Sequence, residues 1–193
     1  AFEYEGYVYL AGNDTGLFRS RNPLGPFEFF GDFVDEHGHR LERSLHDFCR
    51  GCADGGVFDA AVFVDDDSRV YLYYAGGAAD GVYGVELDSA DLRKFVGPAK
   101  HFFRFEPSHI WERYGSRNEM STQSWIEGPW ITKHSGTYYL QYAAPGTEWK
   151  TYGVGVYTSQ DPLGPFDYYD GSPILVHNGG LINGSGHHSV VEG

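Results

Sequence analysis

A tyrosine–leucine strand core recurs three times along the 193 residues, and this internal repeat constrains the fold more than any other feature. The cores are Tyr7-Val8-Tyr9-Leu10, Val70-Tyr71-Leu72-Tyr73-Tyr74 and Tyr138-Tyr139-Leu140-Gln141-Tyr142. Aligned on Tyr9, Tyr71 and Tyr139, they lie 62 and 68 residues apart. Each follows a polar turn: Glu5-Gly6, Asp65-Asp66-Asp67-Ser68 and His134-Ser135-Gly136. A second repeat overlays the first. Residues 16–27, GLFRSRNPLGPF, match residues 155–166, GVYTSQDPLGPF, at an offset of 139. A unit of this length holds about four strands of about five or six residues, the content of one β-propeller blade. Three cores, with a fourth unit beginning near His187, give about three and a half blades; propellers close with about four or more. The expectation is one all-β domain over residues 1–193, an incomplete propeller with blades near 1–57, 58–122, 123–182 and the start of another at 183–193.

Composition agrees with this reading and excludes others. The 27 glycines and 9 prolines punctuate short aromatic runs, the texture of strands and tight turns. Helical periodicity is scarce; the best stretch, Ser89 to Phe95, reads better as a turn after the strand Gly84-Val85-Glu86-Leu87. Aromatics make up 17% of the chain, which excludes disorder, and apolar runs are too short to span a membrane. A formal net charge of −13 repels phosphate backbones and anionic headgroups, so neither nucleic acid nor a membrane surface is an expected partner. Neutral, hydroxyl-rich ligands remain compatible. The chain opens on Ala1 and stops at Val191-Glu192-Gly193, read as a strand, so it is taken as a piece of a longer polypeptide, secreted or periplasmic rather than cytoplasmic. Cys49 and Cys52 form one C-x-x-C, too few for a disulfide scaffold; whether they are paired, metal-bound or free stays open, as does the oligomeric state.

The candidate chemistry lies upstream of the repeated cores. Asp59 sits 12 residues before Tyr71, and Glu127 sits 12 before Tyr139. Each ends an apolar approach, Gly56-Val57-Phe58-Asp59 or Ser124-Trp125-Ile126-Glu127, and each precedes a hydrophobic strand. The innermost strands of a propeller line its axis, so equivalent positions of successive blades converge there. Two carboxylates held together suit acid-catalysed hydrolysis: burial and a neighbouring charge keep one of them protonated near neutral pH. The plainer reading, that each acid caps a turn, does not account for the shared register.

On these residues the chain resembles glycoside hydrolase family 43, five-bladed propellers that act as arabinofuranosidases, xylosidases and arabinanases. Glu127-Gly128-Pro129 resembles the family's general-acid motif. Phe58-Asp59, with Asp65-Asp66-Asp67 and Val70-Tyr71-Leu72, resembles the blade that supplies the acid's pKa modulator. Pro162-Leu163-Gly164-Pro165-Phe166 is similar to the blade-closing turn, and Gly186-His187-His188-Ser189 to the fifth-blade Gly-His-x-Ser segment. The resemblance implies cleavage of arabinose- or xylose-containing glycans with inversion, Glu127 as acid and Asp59 as modulator. It places His187 beneath the carboxylates, facing the axis, near a single calcium or sodium ion held through water, and requires no other cofactor. The family's general base belongs to an Asp-Pro motif of the first blade, and none precedes the first core here. The visible blades therefore read as the second, third, fourth and start of the fifth, with the base outside the chain. A non-catalytic carbohydrate-binding propeller without that base is the rival reading. His188 departs from the glycine frequent in the family.

Other features admit plain roles beside functional ones. Trp125, beside Glu127, and Trp149, after the turn Ala144-Pro145-Gly146-Thr147, are candidates to stack on a sugar ring, although tryptophan is often only packing. Arg117, in a polar loop before the acid's blade, is a candidate donor to sugar hydroxyls or else a surface arginine. The Asp65–Asp67 run reads as a hairpin turn built on side-chain hydrogen bonds, not as a calcium loop. His37, His39, His46, Cys49 and Cys52 have zinc-ligand types but no familiar zinc spacing.

Overall fold

The computed structural model describes residues 1–12, 16–41 and 57–190. Within them the chain is a set of antiparallel sheets, each running outward from an inner strand, the arrangement of β-propeller blades. The first sheet has the order β1 (Phe2–Tyr4), β2 (Tyr7–Ala11), β3 (Gly16–Ser20), β4 (Glu28–Asp32). The second contains β5 (Phe58–Val64), β6 (Val70–Ala75), β7 (Val82–Asp88) and β8 (Asp91–Phe95), with β9 (Lys100–Phe103) also paired to β7. The third contains β10 (Glu127–His134), β11 (Thr137–Ala144), β12 (Gly153–Ser159) and β13 (Asp167–Tyr168). The inner strands β1 and β10 both pack against β5. Among the described residues no helix is long and apolar enough to cross a membrane.

The tyrosine–leucine cores are the second strands of these sheets, and alternation explains their composition. In β6, Val70, Leu72 and Tyr74 join the core shared with the first sheet, where they meet Tyr9, Leu17 and Phe33. Tyr71 and Tyr73 point the other way, into the core shared with the third sheet, with Tyr138, Leu140 and Tyr142. A period of two thus buries every residue of β6, because both of its faces are covered by neighbouring blades.

The second repeat also has a common physical basis. In one copy the Ser20 hydroxyl accepts from Asn22 N–H (3.1 Å), and the Asn22 side chain accepts from Leu24 N–H (3.0 Å). In the other, Ser159 accepts from Asp161 N–H (3.0 Å) and Asp161 from Leu163 N–H (2.8 Å). Gly25 and Gly164 follow at φ of 79° and 72°, a region favourable to glycine, each before a cis proline.

The structure corrects two expectations. Only Ser89 and Ala90 form the turn after β7; Asp91–Phe95 is a strand, since Leu92 and Phe95 have a core face to fill. Asp59 and Glu127 lie within β5 and β10 rather than ahead of the strands. Residues 183–190 contain no strand, and residues 191–193 lie outside the described residues.

The Asp65–Asp67 turn does more than reverse the chain. Asp66 N–H donates to Asp65 (2.8 Å) and Arg69 N–H to Asp67 (3.0 Å), as a side-chain-capped turn requires. Asp65 is also buried and accepts from Lys133 Nζ and the Tyr138 hydroxyl, both at 2.5 Å, which ties the second sheet to the third. Burial pushes the Asp65 carboxyl up, but the hydrogen bonds from Lys133 and Tyr138 outweigh it and hold the group below its ordinary value. A carboxylate with a lowered folded-state pKa stabilises the fold above the ordinary carboxylate range, and that contribution is lost as pH falls through the folded value. Asp65→Asn should therefore cost about 2–3 kcal/mol at neutral pH. The deficit should shrink as pH drops below about 4, as urea unfolding of wild type and variant at several pH values would show.

Candidate active site

Asp59 and Glu127 meet at the junction of β5 and β10, though not as equivalent positions. Strand pairing matches Phe58 with Ala75 and Glu127 with Ala143, so Glu127 corresponds to Phe58 and Gly128 to Asp59. The 12-residue count from the tyrosine cores is one off because the turn after β5 is one residue longer. A β-bulge interrupts each strand here, between Phe58 and Ala61 and between Glu127 and Trp130. The two residues placed in equivalent bulge positions share a left-handed backbone, with φ of 51° at Asp59 and 56° at Gly128. Bulges of this kind re-aim side chains near functional sites, and aspartate is among the few non-glycine residues that tolerate the region.

The offset brings the acids into contact through the backbone. Gly128 N–H donates to Asp59 Oδ2 at 3.1 Å. Asp59 therefore holds the peptide adjoining Glu127, and its own side chain is only 6% exposed. Glu127 is buried, and its Oε1 accepts from the Tyr152 hydroxyl at 2.7 Å. Burial pushes the Glu127 carboxyl above its usual value; the Tyr152 hydrogen bond opposes this, the Asp59 charge adds to it and His187 opposes it. The result is a carboxyl that keeps its proton to higher pH than an ordinary glutamate, beside an acid that holds the adjoining peptide.

His187 lies beside Asp59, its Nδ1 3.6 Å from Asp59 Oδ2, with about half of the side chain exposed (51%). It too has a left-handed backbone, φ 54°. An added Cβ at Gly128 would come within 3.1 Å of His187 Cγ, so the glycine of Glu127-Gly128-Pro129 allows both the bulge and the close approach of the imidazole.

A cleft of about 370 Å³ is lined by Phe58, Asp59, Trp125, Glu127, Thr147, Glu148 and His187, within the size range of small-molecule sites. Trp125 lies on its wall, its ring 6.3 Å from that of Phe58. Its backbone N–H donates to the Pro145 carbonyl (2.6 Å), which anchors the approach to Glu127. Trp149 is not among the lining residues; its ring packs edge-on against Tyr114 at 5.3 Å. Arg117 is exposed on its loop, with its N–H donating to Glu119 (2.8 Å), and does not reach the cleft. His188 meets Gln141 on β11, Nε2 to Oε1 at 2.5 Å, and burial together with the His187 charge lowers its pKa.

The sequence reading did not single out Tyr152, Thr147 or Glu148. Nothing in a chain with 15 tyrosines marks Tyr152 as the one aimed at Glu127. His37 and His39 take part in a turn around Asp35, which accepts from both backbone N–H groups (2.9 and 2.7 Å). His46, Cys49 and Cys52 lie outside the described residues. An ion near the axis would find Asp59, His187 and Glu127, yet among the described residues no three His, Cys, Asp or Glu side chains converge as a metal cage. Calcium takes about six to eight oxygens, so these residues would hold one only with water completing its shell.

Propeller blades with paired carboxyls in a cleft beside their inner strands define the class: a β-propeller with a buried acid pair where two blades meet. The chain belongs to glycosyl hydrolases family 43, whose model matches residues 7–193. It is 28% identical to the β-D-galactofuranosidase xynD of Aspergillus niger over 97% of this chain and 47% of that protein. It is 30% identical to an arabinoxylan arabinofuranohydrolase of Bacillus subtilis over 84% of this chain and 30% of that one. The chain thus spans less than half of either relative. Among solved structures it superposes on an endo-1,4-β-xylanase of Bacteroides thetaiotaomicron with a TM-score of 0.70 at 25% identity, covering 95% of this chain and 55% of the other. A thermostable family-43 glycoside hydrolase matches with a TM-score of 0.66 at 28% identity, over 90% and 51%.

Gly128→Ala should lower stability by about 1–2 kcal/mol, the cost of a side chain in a left-handed backbone. It should also move the His187 ring. Urea unfolding measures the first effect, and displacement of the His187 imidazole NMR signals measures the second.

Proposed function

We propose that the protein is a glycosidase that cleaves arabinose- or xylose-containing oligo- and polysaccharides by single displacement with inversion. The observation that carries this reading is the Asp59–Gly128–Glu127 linkage: a buried carboxyl with a raised pKa, held in place by a second acid at a cleft of ligand size. Glu127 protonates the glycosidic oxygen as the bond to the anomeric carbon breaks. Asp59 keeps the Glu127 carboxyl oriented and, through its charge, favours the protonated form. A water attacks the opposite face after an aspartate outside this chain takes its proton; inversion needs that base about 6.5–9.5 Å from Glu127. Trp125 offers a ring face to the C–H face of the sugar, and His187 hydrogen-bonds a hydroxyl at the open side of the cleft. The names of the relatives, arabinofuranohydrolase and galactofuranosidase, favour five-membered rings among the substrates. Net charge −13 favours a neutral glycan over a polyuronate.

A screen of the intact protein on nitrophenyl arabinofuranoside, galactofuranoside, xyloside and galactopyranoside tests the reading. Release from a furanoside or xyloside, with the product's first anomer opposite to the substrate's by NMR, is the expected result. Binding of arabinoxylan without turnover would favour the non-catalytic rival. Glu127→Gln should lower kcat/KM on an unactivated oligosaccharide about 10²–10⁴-fold. His187→Ala should reduce turnover far more than the melting temperature; equal losses in both would make the residue structural.

A further inference from the structure

No step of the proposed reaction gives Tyr152 a task, although among the described residues its hydroxyl is the hydrogen-bond partner of the Glu127 side chain. Tyr152 stands just ahead of β12, is 3% exposed, and donates from its hydroxyl to Glu127 Oε1 at 2.7 Å. Its position is fixed on several sides. Its N–H donates to the Trp149 carbonyl (3.0 Å), and its carbonyl accepts from the Ser185 hydroxyl (3.4 Å). Gly186 lies against the ring so closely that a Cβ there would come within 2.4 Å of Tyr152 Cε1. The segment that ends in His187 thus walls in the phenol.

We propose that Tyr152 is the positioning residue of the proton donor: by holding Glu127 Oε1 as an acceptor it places the transferable proton on Oε2, and Gly186 keeps the phenol in register. The inference rests on the reading of Glu127 as general acid. A neutral carboxyl has one carbonyl-type oxygen, its better acceptor, and one hydroxyl oxygen. A phenol donating to Oε1 selects Oε1 as the former, so the proton resides on Oε2 before substrate arrives. As the glycosidic C–O bond breaks, its electron pair passes to the leaving oxygen, which takes the Oε2 proton, and Glu127 is left as carboxylate. The phenol stays on Oε1 throughout, and its hydrogen bond strengthens as the charge appears, a gain made in the transition state and not in the ground state. Burial, then the Glu127 charge, push the Tyr152 phenol far above its ordinary value, so it remains a donor across the working range.

The test uses the intact protein with Tyr152→Phe and Gly186→Ala. First, the Glu127 carboxyl is titrated by carbon-13 NMR without substrate. Removing a donor to the carboxylate should raise its pKa by about one unit in Tyr152→Phe. Second, kcat/KM is compared on a 2,4-dinitrophenyl glycoside, whose leaving group needs little protonation, and on an oligosaccharide, whose leaving group needs it fully. Tyr152→Phe should lose about tenfold on the oligosaccharide and less than about twofold on the activated glycoside, with the basic limb of its pH profile moved upward. Gly186→Ala, which displaces the ring, should show the same pattern. An unshifted Glu127 titration, or equal losses on both substrates, overturns the inference and makes Tyr152 ordinary packing. Full oligosaccharide turnover by Glu127→Gln overturns the reading of the acid itself, whatever Tyr152→Phe does to the titration.

Discussion

A β-sheet with two apolar faces cannot stand alone in water, and this constraint organises the molecule. The second sheet satisfies it by lying between the first and third, so that every residue of β6 is buried and its side chains alternate between two cores. Once the sheets must stack, their inner strands must meet, and the β5–β10 contact that results is where Asp59 and Glu127 come together. Polar links follow the same geometry. Asp65 reaches across to Lys133 and Tyr138, and the Tyr73 hydroxyl donates to the Pro162 carbonyl (2.7 Å), so the repeated turn of the third sheet is pinned to the core strand of the second.

Within that frame the site depends on a local irregularity shared by two strands. A regular ladder would keep successive side chains on alternate faces. The paired bulges break that rule in both β5 and β10 and give Asp59 and Gly128 the same left-handed backbone. One bulge turns a carboxylate inward, and the other presents an N–H to it. His187 adds a third left-handed residue at the same point. Such strained conformations persist only where surrounding structure over-determines them. Here the two cores behind the strands supply that rigidity.

Much of this was legible in the sequence because repetition is a physical signal. Equivalent strands in equivalent blades face the same burial, so tyrosine and leucine recur at steps of 62 and 68 residues, and Ser-x-Asn/Asp-Pro-Leu-Gly-Pro-Phe recurs where the same turn must close. The pair Asp59 and Glu127 came from the same repeat, and the nearness of His187 to it from the resemblance carried by Gly186-His187-His188-Ser189. Finer placements were not legible, for separable reasons. Counting from the tyrosine cores equated Asp59 with Glu127, because a turn longer by one residue leaves no mark on the strand pattern. The β8 strand was hidden since Asp91-Leu92-Arg93-Lys94-Phe95 is mostly charged; its pairing with β7 and the core face of Leu92 and Phe95 make it a strand. Arg117 had the right chemistry for a sugar hydroxyl, but its position depends on a loop path that no local pattern encodes. Tyr152 is silent for the opposite reason, being one tyrosine among many.

The electrostatics around Glu127 show why those silent residues matter. Two influences drive the carboxyl toward its neutral form, its burial and the Asp59 charge, and two drive it back, the Tyr152 hydroxyl and His187. A general acid needs a pKa near its working pH, high enough to hold a proton and low enough to release it. Each pair comes from separate elements: Asp59 from β5, the Glu127 surroundings from the third sheet, and His187 from the strandless segment after β13. The electrostatic setting of the Glu127 carboxyl is therefore a property of how the blades assemble, and the three residues Glu127-Gly128-Pro129 acquire it only because distant parts of the chain are packed to the same point.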